Sequence, residues 1–202
     1  MKPLYTKTKA EDQGFINRGW FSESEILAVA KQTIACVYAF AYNPTRPSTN
    51  DFPHDFESTQ YIGKSAGKYY FDQKSPNGKG QIKSTMVTRW HDHGKNIRRA
   101  RRGESTNPKY ITLAEYEALH PDCTLWINIL SPDPNGTEED LKRLPSKAIA
   151  IESDAILDFS TCWGDAPPMN RSQCEKINRR KPGSKSDKYM ATVVSLHFTD
   201  YE

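Results

Sequence analysis

The sequence predicts a mixed α/β fold of the α+β kind: a small central antiparallel sheet flanked by helices, with insertions. Three observations carry this expectation. Apolar runs of strand length occur at residues 34–41 (with Val37, Tyr38 and Phe40) and 123–130 (with Trp126, Ile127 and Ile129). Gln60-Tyr61-Ile62-Gly63 reads as a further short strand that pairs with the first as an antiparallel hairpin. Helical patterns separate and follow these runs. With 202 residues, 36% apolar and 26% charged, the chain is expected to form one domain, 1–202, with its core at about 34–170 and long polar surface segments.

The elements follow in order. Ser22 to Glu25 precede an apolar run from Ile26 to Ala30, the pattern of a capped helix start. The strand at 34–41 leads into a loop at 43–57 marked by Pro44, Pro47 and Pro53. After the strand at 60–63, residues 64–83 read as an insertion rich in Gly, Lys and aromatics with little regular pattern. A helix is expected at 84–102, a break at 103–108 and a short helix at 112–117. The strand at 123–130 is followed by a Pro-Asp-Pro-Asn-Gly turn. A helix then starts at Thr137, is interrupted by Pro145, and gives way to a second helical stretch at 146–159. Residues 164–168 read as a turn, 179–188 as a basic loop, and 190–198 as a last strand. There is no internal repeat or low-complexity tract.

The N-terminal residues hold no apolar run of signal-peptide length, and no stretch is long enough to span a bilayer. The reading is therefore a cytoplasmic protein with no membrane partner. Cys36, Cys123, Cys162 and Cys174 are expected as thiols, with Cys36 and Cys123 in the core. None sit at two-residue spacing, which argues against a zinc knuckle.

The net charge is only +3, so the placement of positive charge matters more than its sum. Lys95, Arg98, Arg99, Arg101 and Arg102 fall in eight residues without an acid. One reading is a solvated helix face. Together with Arg179, Arg180, Lys181, Lys185 and Lys188, the stretch points instead to nucleic-acid phosphates. Arg89 and His93 are four apart, on one face of the expected helix. The alternative is an ordinary Arg89–Asp92 surface pair with bystander histidines. Tyr38 and Tyr61 lie in apolar strands, where a phenol either packs or serves chemistry. Glu152 stands in the apolar stretch 148–157, so its carboxylate is exposed on a narrow stripe, paired, or bound to a cation. Ser153 and Asp154 widen that stripe and keep the first option open.

In this order the residues resemble the GIY-YIG nuclease family. Cys36-Val37-Tyr38 stands where the family has Gly-Ile-Tyr, and Tyr61-Ile62-Gly63 matches the second signature in full. Arg89 matches the arginine of the first core helix, His93 the imidazole or phenol one turn later, Glu152 the metal-binding glutamate, and Asn170 the asparagine after a proline turn. The resemblance covers roughly residues 34–170. Cys36 departs from the family's glycine, and the stretches 38–61 and 61–89 are longer than usual. The insertion and the histidine four residues after the arginine look most like the family's type II restriction endonucleases.

The resemblance implies hydrolysis of phosphodiester bonds in double-stranded DNA with one Mg²⁺ (or Mn²⁺) held by Glu152. It implies transition-state stabilisation by Arg89, with Tyr38 as general base and Tyr61 beside it. Lys64 or a lysine of the insertion would lower the phenol's pKa; His93 would be the rival base or a phosphate ligand; Asn170 would orient a phosphate or the glutamate. A symmetric site cut on both strands implies a homodimer. Two other readings stand beside this one: a phage or repair nuclease of low sequence specificity, and a non-catalytic DNA-binding protein whose tyrosines and glutamate only pack.

Overall fold

Alternation along one strand organises the molecule. In strand β2 (Cys36–Asn43) every residue but the last is buried. Tyr38, Phe40 and Tyr42 face one apolar cluster, while Val37 and Ala39 face another. That is the period-two consequence of a pleated strand covered on both faces. The computed structural model describes residues 10–11, 13–33, 35–65, 68–70, 81–83, 86–132 and 138–171.

The order is β1 (Phe15–Phe21), α1 (Ile26–Gln32), β2, a 3-10 turn at Pro53–Asp55, β3 (Thr59–Ser65), β4 (Lys68–Tyr70), β5 (Gln81–Lys83), α2 (Met86–Arg101), α3 (Pro108–Leu119), β6 (Thr124–Pro132), α4 (Glu138–Trp163) and a 3-10 turn at Pro168–Asn170. Four strands form an antiparallel sheet in the order β1-β6-β2-β3. The fold is thus mixed α+β, as expected. The face bearing Tyr38 and Phe40 packs on Trp90 and Ile97 of α2 and Leu113 of α3. The opposite face packs on Leu144, Ala148, Ile151, Ala155 and Phe159 of α4. Burying each large apolar side chain contributes about 1.5–3 kcal/mol.

Several elements differ from the expectation. Strand β1 was not anticipated, because Asn17-Arg18-Gly19 interrupts its apolar pattern. The register slips between Asn17 and Gly19, and Gly19 takes φ +100. A bulge of this kind needs glycine and hides a strand from period-two reading. The insertion contains a second, two-stranded sheet of β4 and β5. Helix α3 begins before the expected 112, at Pro108, with the Asn107 side chain accepting the Lys109 backbone N–H at 3.1 Å. The two helical stretches around Pro145 are one helix, with the proline inside it. An interior proline costs about 3 kcal/mol. The apolar stripe from Leu144 to Phe159, held against the sheet, offsets that loss.

The chain divides into two compact units, Met1–Met169 and Asn170–Glu202. The expected basic loop (Arg179 and Arg180 included), the strand at 190–198 and Cys174 lie outside the described residues.

Candidate active site

The site begins at a glycine. Gly63 on β3 lies directly across from Tyr38 on β2. Tyr61, two residues earlier on the same face, lays its ring over Gly63. A Cβ added there would sit 2.5 Å from Tyr61 Cε1 and Oη. The absent side chain is what lets one strand's phenol approach the other's. The two rings come within 5.9 Å, centroid to centroid, and Tyr38 hydrogen-bonds Tyr61.

Helix α2 supplies the next group. His93 is buried, and its Nε2 lies 2.8 Å from Tyr38 Oη. Its Nδ1 lies 2.9 Å from the hydroxyl of Tyr110 on α3. One turn back on α2, Arg89 is exposed. Its charge acts on Tyr38, Tyr61, His93 and Tyr110 alike. Lys109, beside Tyr110, holds its ammonium 5.9 Å from the Tyr61 ring centroid.

The carboxylate arrives from the other side of the sheet's edge. Lys64 follows Gly63 on β3 and forms an ion pair with Glu152 of α4. The Glu152 side chain is only 14% exposed, and its charge acts on Tyr61. The paired option left open by its apolar surroundings is therefore the one observed. Ile151 and Ala155 take the buried stripe of α4 and turn Glu152 to the sheet's margin.

Burial dominates the protonation states. Burial, then the charges of Arg89 and Lys109, drive the His93 pKa down to about 4, so the ring is neutral at pH 7. Burial lifts Tyr38 well above its ordinary value, and Tyr61 and Cys36 push the same way, while Arg89 opposes. Tyr61 is also raised by burial. Of the lysines expected to acidify a phenol, Lys64 is engaged with Glu152, and the side chains of the insertion's other lysines lie outside the described residues. Among the described residues Arg89 acts on both phenols in that sense, and burial outweighs it. Cys36, where the sequence departs from glycine, is a fully buried thiol pushed up to about 12 and is chemically quiet.

The basic stretch separates into two sets. Lys95, Arg98 and Arg99 are exposed on α2. Arg101 instead pairs with Glu23 at 2.7 Å and Glu117 at 2.8 Å, and Arg102 pairs with Glu104 at 2.8 Å. The expected self-repulsion is thus relieved partly within the fold. Asn170 is the first residue of the second unit and is described with it: it ends the turn Pro168–Asn170 and is buried.

Sequence reasoning missed Tyr110 and Lys109, because residues 103–108 read as a break and the next helix as starting at 112. The Asn107-Pro108 pair was the available signal. A groove of about 560 Å³ lies between the C-terminal end of α2 and α3, lined in part by Arg101, Ile111, Ala114 and Glu117. None of the phenols, Arg89, His93 or Glu152 line it.

Among the described residues no group of three or more His, Cys, Asp or Glu side chains could hold a metal ion. A lone carboxylate is still compatible with Mg²⁺, which keeps several waters and takes oxygen from a substrate phosphate. Glu152 is the residue that would hold such an ion, in place of the Lys64 ammonium it faces. Among the described residues no helix is long and apolar enough to cross a membrane. No family model, curated protein or solved structure matches the chain.

Proposed function

We propose that the chain is a Mg²⁺-dependent (or Mn²⁺-dependent) endonuclease that hydrolyses phosphodiester bonds of double-stranded DNA, a site-specific enzyme of the GIY-YIG restriction type. One observation carries the reading. Two phenols, an imidazole, a guanidinium and a carboxylate, scattered from residue 38 to residue 152, converge at one edge of the sheet. Packing alone asks for no such set. Buried charges and polar groups cost stability unless paired, and here they face one another beside exposed cations.

A divalent ion bound by Glu152 would polarise the scissile phosphate and stabilise the leaving oxygen. The chain's own residues do the rest. Arg89, exposed at the surface and acting on both phenols, stabilises negative charge on the phosphate oxygens as the transition state forms. A water attacks phosphorus and gives its proton to the Tyr38–Tyr61 pair, while the P–O3′ bond breaks and O3′ takes a proton from solvent. Neither phenol is ionised beforehand, so the pair passes one of its own hydroxyl protons to solvent as it takes the water's, and Arg89 stabilises the negative charge that develops on it in between. Neutral His93 holds the Tyr38 hydroxyl in place. Lys95, Arg98 and Arg99 contact the DNA backbone and fix register. A homodimer would place two such sites on a symmetric duplex.

The test is incubation of the protein with varied duplex DNA and Mg²⁺, beside Glu152→Gln and Arg89→Ala. Discrete fragments are expected from the parent protein, with rates lowered at least about 10²-fold in each variant. Cleavage undiminished by Glu152→Gln, or no cleavage of any duplex with Mg²⁺ or Mn²⁺, would overturn the proposal. Tight, salt-dependent duplex binding without cleavage would return the non-catalytic reading.

A further inference from the structure

Lys109 belongs to no motif in the sequence, and no step of the proposed reaction uses it. The fold nevertheless fixes it twice at the edge of the site. The Asn107 side chain accepts its backbone N–H at 3.1 Å, and Pro108 starts the helix. The next residue, Tyr110, is buried with its hydroxyl 2.9 Å from His93 Nδ1. The first turn of α3 is thereby tied to α2. The half-buried Lys109 carries its ammonium over the Tyr61 ring, 5.9 Å from the centroid. Tyr38, Phe40 and His93 pack around the same ring.

The charges around this point do not cancel. Arg89 and Lys109 come from different helices, and both act on His93, against one carboxylate, Asp92. Lys64 and Glu152 neutralise each other at the sheet's margin. Three cations therefore face two carboxylates, an excess of one positive charge. Cations brought together in this way repel one another unless an anion joins them. A lysine that only shields a ring needs its apolar stem there and leaves its ammonium in water. Here the ammonium itself lies over the ring, beside the groups that would handle the scissile phosphate. It is a compact charge on a flexible stem, so it can follow a phosphate oxygen, whereas the planar Arg89 guanidinium orients one.

We propose that Lys109 is a phosphate-binding residue: with Arg89 on the neighbouring helix it forms a two-cation clamp on the DNA backbone at the phenol cluster itself, apart from the contacts of Lys95, Arg98 and Arg99. The proposal rests on the DNA reading above. Lys109 holds a phosphate of the bound strand before and during reaction alike. Its share is therefore in binding, while that of Arg89 is in the transition state.

The experiment uses the full-length protein and a short labelled duplex. Binding is measured without added divalent metal at several salt concentrations, beside urea unfolding. Lys109→Met removes the charge and keeps an unbranched apolar stem against Tyr61. It should weaken binding about 10-fold at roughly 0.1 M salt and lower the slope of log K against log salt concentration by about 1 per site. Its urea midpoint should match the parent's, and Lys109→Arg should restore most of the affinity. In cleavage with Mg²⁺, KM of Lys109→Met should rise by a similar factor, with kcat within about 3-fold of the parent. A salt slope unchanged in Lys109→Met, or a duplex that the parent protein does not bind, would overturn the proposal. So would a lowered urea midpoint with unchanged affinity, the mark of a lysine that only packs. If slope and affinity fall as expected but no DNA is cut, Lys109 stands as a phosphate ligand and the nuclease reading fails.

Discussion

Gly63 shows how far a single residue's meaning depends on its neighbours. In sequence it reads as the end of a short strand. In the structure β3 continues through it to Ser65, and the missing side chain is filled by the ring of Tyr61. Gly63→Ala should therefore act mainly on Tyr61. A methyl 2.5 Å from that ring has to displace it, and forced repacking of this kind costs about 1–3 kcal/mol. Urea denaturation should register the loss. Duplex cleavage by Gly63→Ala should fall at least as far as in Tyr61→Phe, because the phenol is moved rather than only stripped of its hydroxyl. The motif was legible as letters. Its physical reason was not, because the ring that needs the space is brought back over the glycine only once the strand is formed.

At the scale of elements, helix α2 carries two kinds of arginine that the sequence does not distinguish. The run 95–102 reads uniformly basic, but Arg101 is held by Glu23 and Glu117, which lie far from it in sequence. Arg101→Ala should lower stability by about 1 kcal/mol, as loss of a partly exposed ion-pair network does. It should leave the salt dependence of duplex binding unchanged. Arg98→Ala and Lys95→Ala should do the opposite. Their stability should stay within about 0.5 kcal/mol of the parent, while the slope of log K against log salt concentration falls by about 1 for each. Titrations at several salt concentrations, paired with urea midpoints, separate the two sets. Equal salt slopes for all three variants would show that the whole stretch meets DNA, or that none of it does. Elements with a clean period, β2, β3, β6 and α2, were readable in advance. Strand β1 and the unbroken α4 were not, because a bulge and an interior proline are tolerated only through contacts made elsewhere in the fold.

For the whole molecule, the sheet holds its proposed chemistry by keeping charge out of its interior, and this makes folding sensitive to acid. His93 sits against Tyr38, Phe40, Tyr61 and Tyr110, with Arg89 and Lys109 adding repulsion to burial and only Asp92 opposing. Its folded pKa of about 4 lies below the usual 6.5. As pH falls through 6.5 the unfolded chain binds a proton that the folded protein refuses until about pH 4. Stability thus declines across that window and is fully present above it. The difference corresponds to about 3 kcal/mol. His54, buried and likewise lowered by burial, adds to the same slope. Carboxylates such as Glu25, lowered to about 2 chiefly by Arg46, lose their stabilising contribution only below about pH 4.5. The contribution of His93 is therefore isolated by comparing the parent with His93→Gln at pH 7 and pH 4.5. The parent's unfolding free energy should drop more steeply between the two than the variant's. Parallel pH profiles would mean that the imidazole takes up its proton in the folded state as readily as in the unfolded one, and that the closed arrangement of phenols around it does not persist in solution.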